Sequence, residues 1–232
     1  MTEPLLCQKY TDELQWWKDA IVNITDWYMG HSPCVWRHPS PSPPGTEPDF
    51  QKAMIALQKA QSRHYPKTLQ LSTEGFYGRL LEIGAGPLCP STVFASSVTV
   101  AVDPLMLEYA KAGFPISHYP AVCLNARTED LETLLPDGMF DTIVSHDAID
   151  HMDSFIEVAK QVKRLAAPGA VVRLNITYRK PTVTEPLEIT DSDVLLAFSD
   201  RPLTRMAENP ICDYILVLWG TDSWSLPVTN TQ

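Results

Sequence analysis

Two glycines and a carboxylate carry the clearest chemical signal in this sequence. The apolar run Leu80-Leu81-Glu82-Ile83 opens into Gly84-Ala85-Gly86-Pro87. A second run, Val100-Ala101-Val102, ends at Asp103, 21 residues after Glu82. Bare glycine backbone lets a ligand come close, and an acid ending the next strand can take both hydroxyls of a ribose. The pattern predicts a nucleoside-like cofactor at the ends of two parallel strands. A nicotinamide dinucleotide uses the same parts, but its G-x-G-x-x-G fingerprint would need glycine where Cys89 stands.

The densest group of ionisable residues is His146-Asp147-Ala148-Ile149-Asp150-His151-Met152-Asp153, at the end of the strand-like run Phe140 to Ser145. Three readings stay open for it. The residues could hold a divalent metal, although none is expected. His146 or His151 could act as general base, since imidazole titrates near neutrality. The cluster could also simply cap the helix that follows. Arg179-Lys180 is either a seat for an anionic group or a solvated surface pair.

These residues need a frame. Alternating short strands and helices start near Arg79: strands at Leu80–Ile83, Val98–Val102, Ala121–Leu124, Asp141–Ser145, Ala170–Ile176 and Tyr214–Trp219. Helices are predicted at Pro90–Ser97, Leu105–Ala112, Ser154–Ala166 and Asp191–Phe198, with a turn at Pro168-Gly169. Such alternation implies a doubly wound parallel α/β sheet covered on both faces, with ligands beyond the strands' carboxyl ends.

Residues 1–70 differ from the rest. Helices are predicted over Thr11–Met29 and Pro48–His64, separated by the proline-rich His38–Gly45. Trp16, Trp17, Trp27, Tyr28 and Trp36 crowd this segment, with His31, His38, His64 and Tyr65 nearby. They form either packing, including a homodimer contact, or a lid that walls an acceptor pocket. The expected division is a helical cap at 1–70 and a cofactor-binding domain at 71–232.

The formal net charge of -10 argues against gripping nucleic acid, which needs clustered Lys and Arg. Five cysteines without a Cys-x-x-Cys pair argue against structural zinc and a disulfide scaffold. Neither a signal peptide nor a membrane-length apolar run is visible, so a cytoplasmic protein without membrane contact is expected.

Four blocks in order give a family resemblance: Leu81-Glu82-Ile83-Gly84-Ala85-Gly86, Val102-Asp103-Pro104-Leu105, Phe140-Asp141-Thr142-Ile143-Val144-Ser145 and Leu165-Ala166-Ala167-Pro168-Gly169-Ala170. From about Gly78 to Trp219 the chain resembles class I S-adenosylmethionine-dependent methyltransferases, particularly the type 11 domain. It departs from them where a third glycine is usual, at Leu88.

The resemblance implies a Rossmann-like seven-stranded sheet with its last strand antiparallel. It further implies methyl transfer to a small-molecule acceptor, releasing S-adenosylhomocysteine. Gly84 and Gly86 would lie under the cofactor, and Asp103 would take its ribose hydroxyls. Glu82 would hold the loop or the cofactor's amino group. Pro104 belongs to the ribose block, and Leu105 or Met106 would line the adenine. Glu129 or Asp130 would approach the adenine amine, with Ser145 and His146 beside the sulfonium. Alternatives are a protein or RNA acceptor, or a non-catalytic cofactor-binding subunit that stabilises a partner.

Overall fold

A computed structural model describes residues 3–22, 65–200, 203–209 and 214–219. Strand β1 (Arg79–Ile83) lies between two parallel neighbours, β2 (Val98–Asp103) and β4 (Phe140–His146). β3 (Val122–Asn125) extends the sheet beyond β2, and β5 (Ala166–Thr177) extends it beyond β4, both parallel. β7 (Tyr214–Trp219) pairs antiparallel with β5, and β6 (Leu203–Asn209) antiparallel with β7. The strand order is β3-β2-β1-β4-β5-β7-β6.

The chain leaves β1 toward β2 on one side and returns to β4 on the other. A crevice therefore opens at the carboxyl ends of β1 and β4, where such sheets bind ligands. Register sets what lines it. Ile83 lies opposite both Val102 and Ser145, so Gly84, Asp103 and His146 emerge together at one edge.

Alternating side chains cover both faces. Leu81, Ile83, Val100, Val102, Ile143, Val172 and Leu174 pack with Phe155, Val158, Val162 and Leu165 of helix α3 (Phe155–Leu165). Helix α2 (Met106–Lys111) sits on the opposite face, where Leu88, Ala101, Leu105, Met106 and Tyr109 meet Tyr10, Leu14 and Trp17 of α1 (Glu3–Val22). Tyr65, Leu69 and Phe94 close the rest of that face over Leu80 and Val144. Ser154 caps α3 through the Glu157 N–H (3.4 Å), and Thr190 with Asp193 forms a reciprocal cap on α4 (Asp191–Ala197).

Several boundaries differ from expectation. α1 begins at Glu3 rather than Thr11, because an acid and a proline in its first turn suit a helix start. The predicted Pro90–Ser97 helix is one 3-10 turn, Pro90–Val93, after another at Gly86–Leu88. Pro87 and Pro90 lack the N–H groups a longer helix would use. Pro168-Gly169 is no free turn: it lies inside β5, where pairing jumps from Phe140–Ala166 to Thr142–Val171 and the extra residues bulge. The expected Pro48–His64 helix lies outside the described residues. Among the described residues no helix is long and apolar enough to cross a membrane.

Candidate active site

The glycine loop is built by its backbone. Gly84 and Gly86 take positive φ, 67° and 56°. The N–H groups of Gly84 and Ala85 both donate to the Val102 carbonyl, at 2.9 and 3.1 Å. Gly86 N–H donates to Asp103 Oδ2 at 3.0 Å, and Leu105 N–H donates to Oδ1 at 2.8 Å. Asp103 is buried, and burial raises its pKa to about 6 against the two backbone donors. Each carboxylate oxygen still has a lone pair beyond these bonds.

The loop is tightly enclosed. A Cβ on Gly84 would lie 2.3 Å from Ala148 Cβ, and one on Gly86 would lie 3.1 Å from the Trp17 ring. Cys89, where a dinucleotide fingerprint would have glycine, is itself left-handed at φ 43°. The third-glycine position, Leu88, sits buried in the Gly86–Leu88 turn.

Glu82 lies deeper. Its Oε1 accepts from the Tyr65 hydroxyl at 2.7 Å, and its Oε2 from Ser91 Oγ at 2.6 Å and Ser91 N–H at 3.2 Å. Burial pushes its pKa up to about 7 despite these donors. Of the two roles open for it, its contacts are those of holding the loop.

The strand ends after β1 diverge in character. Ser145 is buried, and its hydroxyl donates to the Ile83 carbonyl at 3.0 Å, stitching β4 to β1. His146 lies half-buried beside Tyr65, ring centres 5.3 Å apart, and burial lowers its pKa. It is therefore a neutral imidazole at pH 7, able to accept a proton.

His151 is the opposite. Nδ1 lies 3.3 Å from Glu13 Oε2, and Nε2 lies 3.8 Å from Glu185 Oε1. Burial works against its charge, but the Glu13 hydrogen bond and neighbouring carboxylates win and raise its pKa to about 9. It is an imidazolium at neutral pH and unsuited to be a base. The segment that carries it is a 3-10 turn, Ile149–His151, after a left-handed Asp147.

Arg179 ties this loop down, at 2.9 Å from Asp147, 2.8 Å from Asp150 and 3.1 Å from Glu185. Thr177 also hydrogen-bonds Asp147. With three carboxylates around it, Arg179 is poorly placed to hold an anionic acceptor. Among the described residues no group of three His, Cys, Asp or Glu could hold a metal ion.

The two acids of the third loop separate. Glu129 turns inward and accepts the Asp153 N–H at 2.9 Å, whereas Asp130 faces solvent beside Arg127. Pro104 is half-buried, while Leu105 and Met106 are buried in the α2 layer. Glu13 and Ser91 are contacts that residue patterns missed. The one usable signal was spacing: Lys9, Glu13 and Trp17 lie four apart on α1. Lys9 pairs with Asp153 at 3.3 Å, Glu13 with His151, and Trp17 rests on Gly86. Trp27, Trp36, His31, His38 and His64 fall outside the described residues.

Residues 81–174 match the family model described as a methyltransferase domain. Among solved structures, a Mesorhizobium loti S-adenosylmethionine-dependent methyltransferase aligns at TM-score 0.55 and 14% identity, covering 71% of this chain and 100% of that one. A Leishmania major S-adenosylmethionine-dependent methyltransferase aligns at TM-score 0.55 and 15% identity, covering 91% and 82%. A Haloferax volcanii methyltransferase in complex with the Trm112 activator aligns at TM-score 0.53 and 12% identity, covering 76% and 99%. No curated protein matches the chain.

Residues 81–174 thus carry a methyltransferase domain, on a Rossmann-like α/β fold like that of S-adenosylmethionine-dependent methyltransferases. That domain is one of methyl-transferring enzymes, and it implies S-adenosylmethionine as the cofactor. The residues at the sheet edge fit such a group: an aromatic ring, Trp17, over Gly86, and a buried carboxylate, Asp103, with lone pairs to offer.

Proposed function

We propose that this enzyme methylates a small-molecule acceptor in the crevice between the glycine loop, α1 and the loop after β4. The observation that carries the reading is Asp103, a buried carboxylate ending β2 and fixed by the Gly86 N–H at 3.0 Å. Its remaining lone pairs suit ribose hydroxyls. Bound S-adenosylmethionine supplies an electrophilic methyl on a sulfonium.

The chain's own residues do the rest. His146, neutral and at the end of β4, takes the proton from an acceptor hydroxyl, acid or amine. His151, paired with Glu13, holds α1 against the loop after β4. Trp17 on Gly86 and Tyr65 beside His146 exclude water, which strengthens electrostatics inside the crevice. Ser145 acts through β1 rather than on the ligand. Glu129, facing inward, is the better of the two third-loop acids to reach an adenine amine.

Calorimetric titration with S-adenosylhomocysteine tests this, using wild type and Asp103→Asn, which keeps the side-chain shape. Losing charge-assisted bonds to two hydroxyls corresponds to roughly 100-fold weaker binding or more. Equal affinities in both proteins would remove Asp103 from the site. A screen of alcohol, acid and amine acceptors, read as S-adenosylhomocysteine release, then tests the acceptor class. A chain that binds cofactor tightly, turns over no acceptor and co-purifies with a second chain would favour the reading as a non-catalytic partner subunit.

A further inference from the structure

Two thiols meet at the far end of the glycine loop, and methyl transfer uses neither. Cys89 closes the Gly86–Leu88 turn and opens the Pro90–Val93 turn in a left-handed conformation, φ 43° and ψ 60°. A residue with a Cβ is strained there. Its side chain is buried, whereas Cys123 on β3 is partly exposed. Their Sγ atoms lie 3.8 Å apart, and Cys123 Sγ lies 3.9 Å from the carbonyl oxygens of Ile116 and Ala121.

We propose that Cys89 and Cys123 are an oxidisable dithiol, at which a peroxide-class oxidant closes a disulfide between the glycine loop and β3 and weakens cofactor binding. The reaction is two-step. The Cys123 sulfur attacks the peroxide, forming a sulfenic acid and releasing one water or alcohol. The Cys89 sulfur then attacks the sulfenic sulfur, forming the S–S bond and releasing a second water. Both cysteines are oxidised and the peroxide is reduced; a dithiol reductant reverses it.

The order of attack follows from exposure and hydrogen bonding. Cys123 is the accessible sulfur, and the bond with Cys89 holds its pKa below the ordinary thiol range, against its burial. The same bond, with burial, pushes Cys89 well up. The motion required is small: from 3.8 Å to a disulfide is roughly 1.8 Å of approach. It falls on compliant elements, a loop of two single turns and a four-residue strand at the sheet edge.

Closure pulls on the cofactor seat from two directions. Gly86, three residues before Cys89, donates to Asp103, and Asp103 lies opposite Asn125 on β3, two residues past Cys123. The effect on binding rests on the seat proposed above; the disulfide itself does not.

The test treats the full chain with hydrogen peroxide, alkylates free thiols and maps linked peptides by mass spectrometry. S-adenosylhomocysteine is titrated before oxidation, after it, and after dithiothreitol. The expected result is a Cys89–Cys123 peptide, about tenfold weaker binding and recovery on reduction. C123S should hold the reduced wild-type affinity in peroxide. Absence of the linked peptide overturns the site, and a linked peptide with unchanged affinity overturns its effect on the loop. If reduced wild type binds no S-adenosylhomocysteine, the cofactor seat fails, and the linked peptide alone decides the dithiol.

Discussion

The glycine loop and the loop after β4 touch at Gly84 and Ala148, yet they hold their carboxylates by different means. Glu82 and Asp103 are bound by neutral donors: a phenol, a serine and three backbone N–H groups. Among the described residues neither has a cationic partner. Asp147, Asp150, Glu185 and Glu13 instead gather around Arg179 and the His151 imidazolium. The first arrangement leaves acceptor capacity for a ligand. The second is internally matched, so it serves as a clasp between α1 and the sheet edge rather than as a binding surface.

Gly84→Ala strikes the point where the two regions meet. Its methyl would sit 2.3 Å from Ala148 Cβ on a backbone at φ 67°. Overpacking and left-handed strain together should remove roughly 3 kcal/mol of stability in urea denaturation. A variant as stable as wild type would show that the two loops do not abut there.

The neutral-donor region should show itself in pH dependence. Glu82 has its folded pKa raised from the ordinary 4.5 to about 7 by burial. Its contribution to stability is therefore fully present below about pH 4.5 and lost as pH rises through about 7. Wild type should lose on the order of 2–3 kcal/mol from this group between pH 4.5 and pH 8. Glu82→Gln cannot ionise and should show a flatter denaturation curve over that window. Parallel curves would place Glu82 in contact with water.

The ionic region predicts a smaller effect at a different pH. His151 is raised to about 9, so the Glu13–His151 pair contributes fully below about pH 6.5 and is lost as pH rises through about 9. Glu13→Gln should lower stability near neutrality by on the order of 1 kcal/mol. It should also move the His151 titration, followed by NMR, down toward the ordinary imidazole range. An unmoved titration would assign the clasp to Asp147, Asp150 and Glu185 alone.

Most strands were legible as short apolar runs between turn residues, and Tyr214–Trp219 was read to the residue. Leu203–Asn209, however, carries Thr204, Arg205 and Glu208 and shows no such run. The start of α1 was read late because the helical spacing was taken from Leu14 and Trp17 onward. In the site, Gly84, Gly86 and Asp103 were legible as a local pattern with fixed spacing. The opposite charge states of His146 and His151 were not. Five residues apart in sequence, they are set by burial beside Tyr65 on one side and above all by Glu13 of α1 on the other. Such partners come from topology, which residue spacing does not encode. Ser91 was hidden for the same reason, since its bond to Glu82 depends on two proline-shaped turns.

Trp17 rests on Gly86, and its ring stands edge-on to Trp16 with centres 5.0 Å apart and planes at 88°. Both indoles belong to α1, so their coupling is internal to the helix, whereas the Trp17 ring alone senses Gly86 and carries an optical signal of that contact. Near-ultraviolet circular dichroism, with Trp17→Phe as the blank, would read the packing of Trp17 on Gly86 without a label.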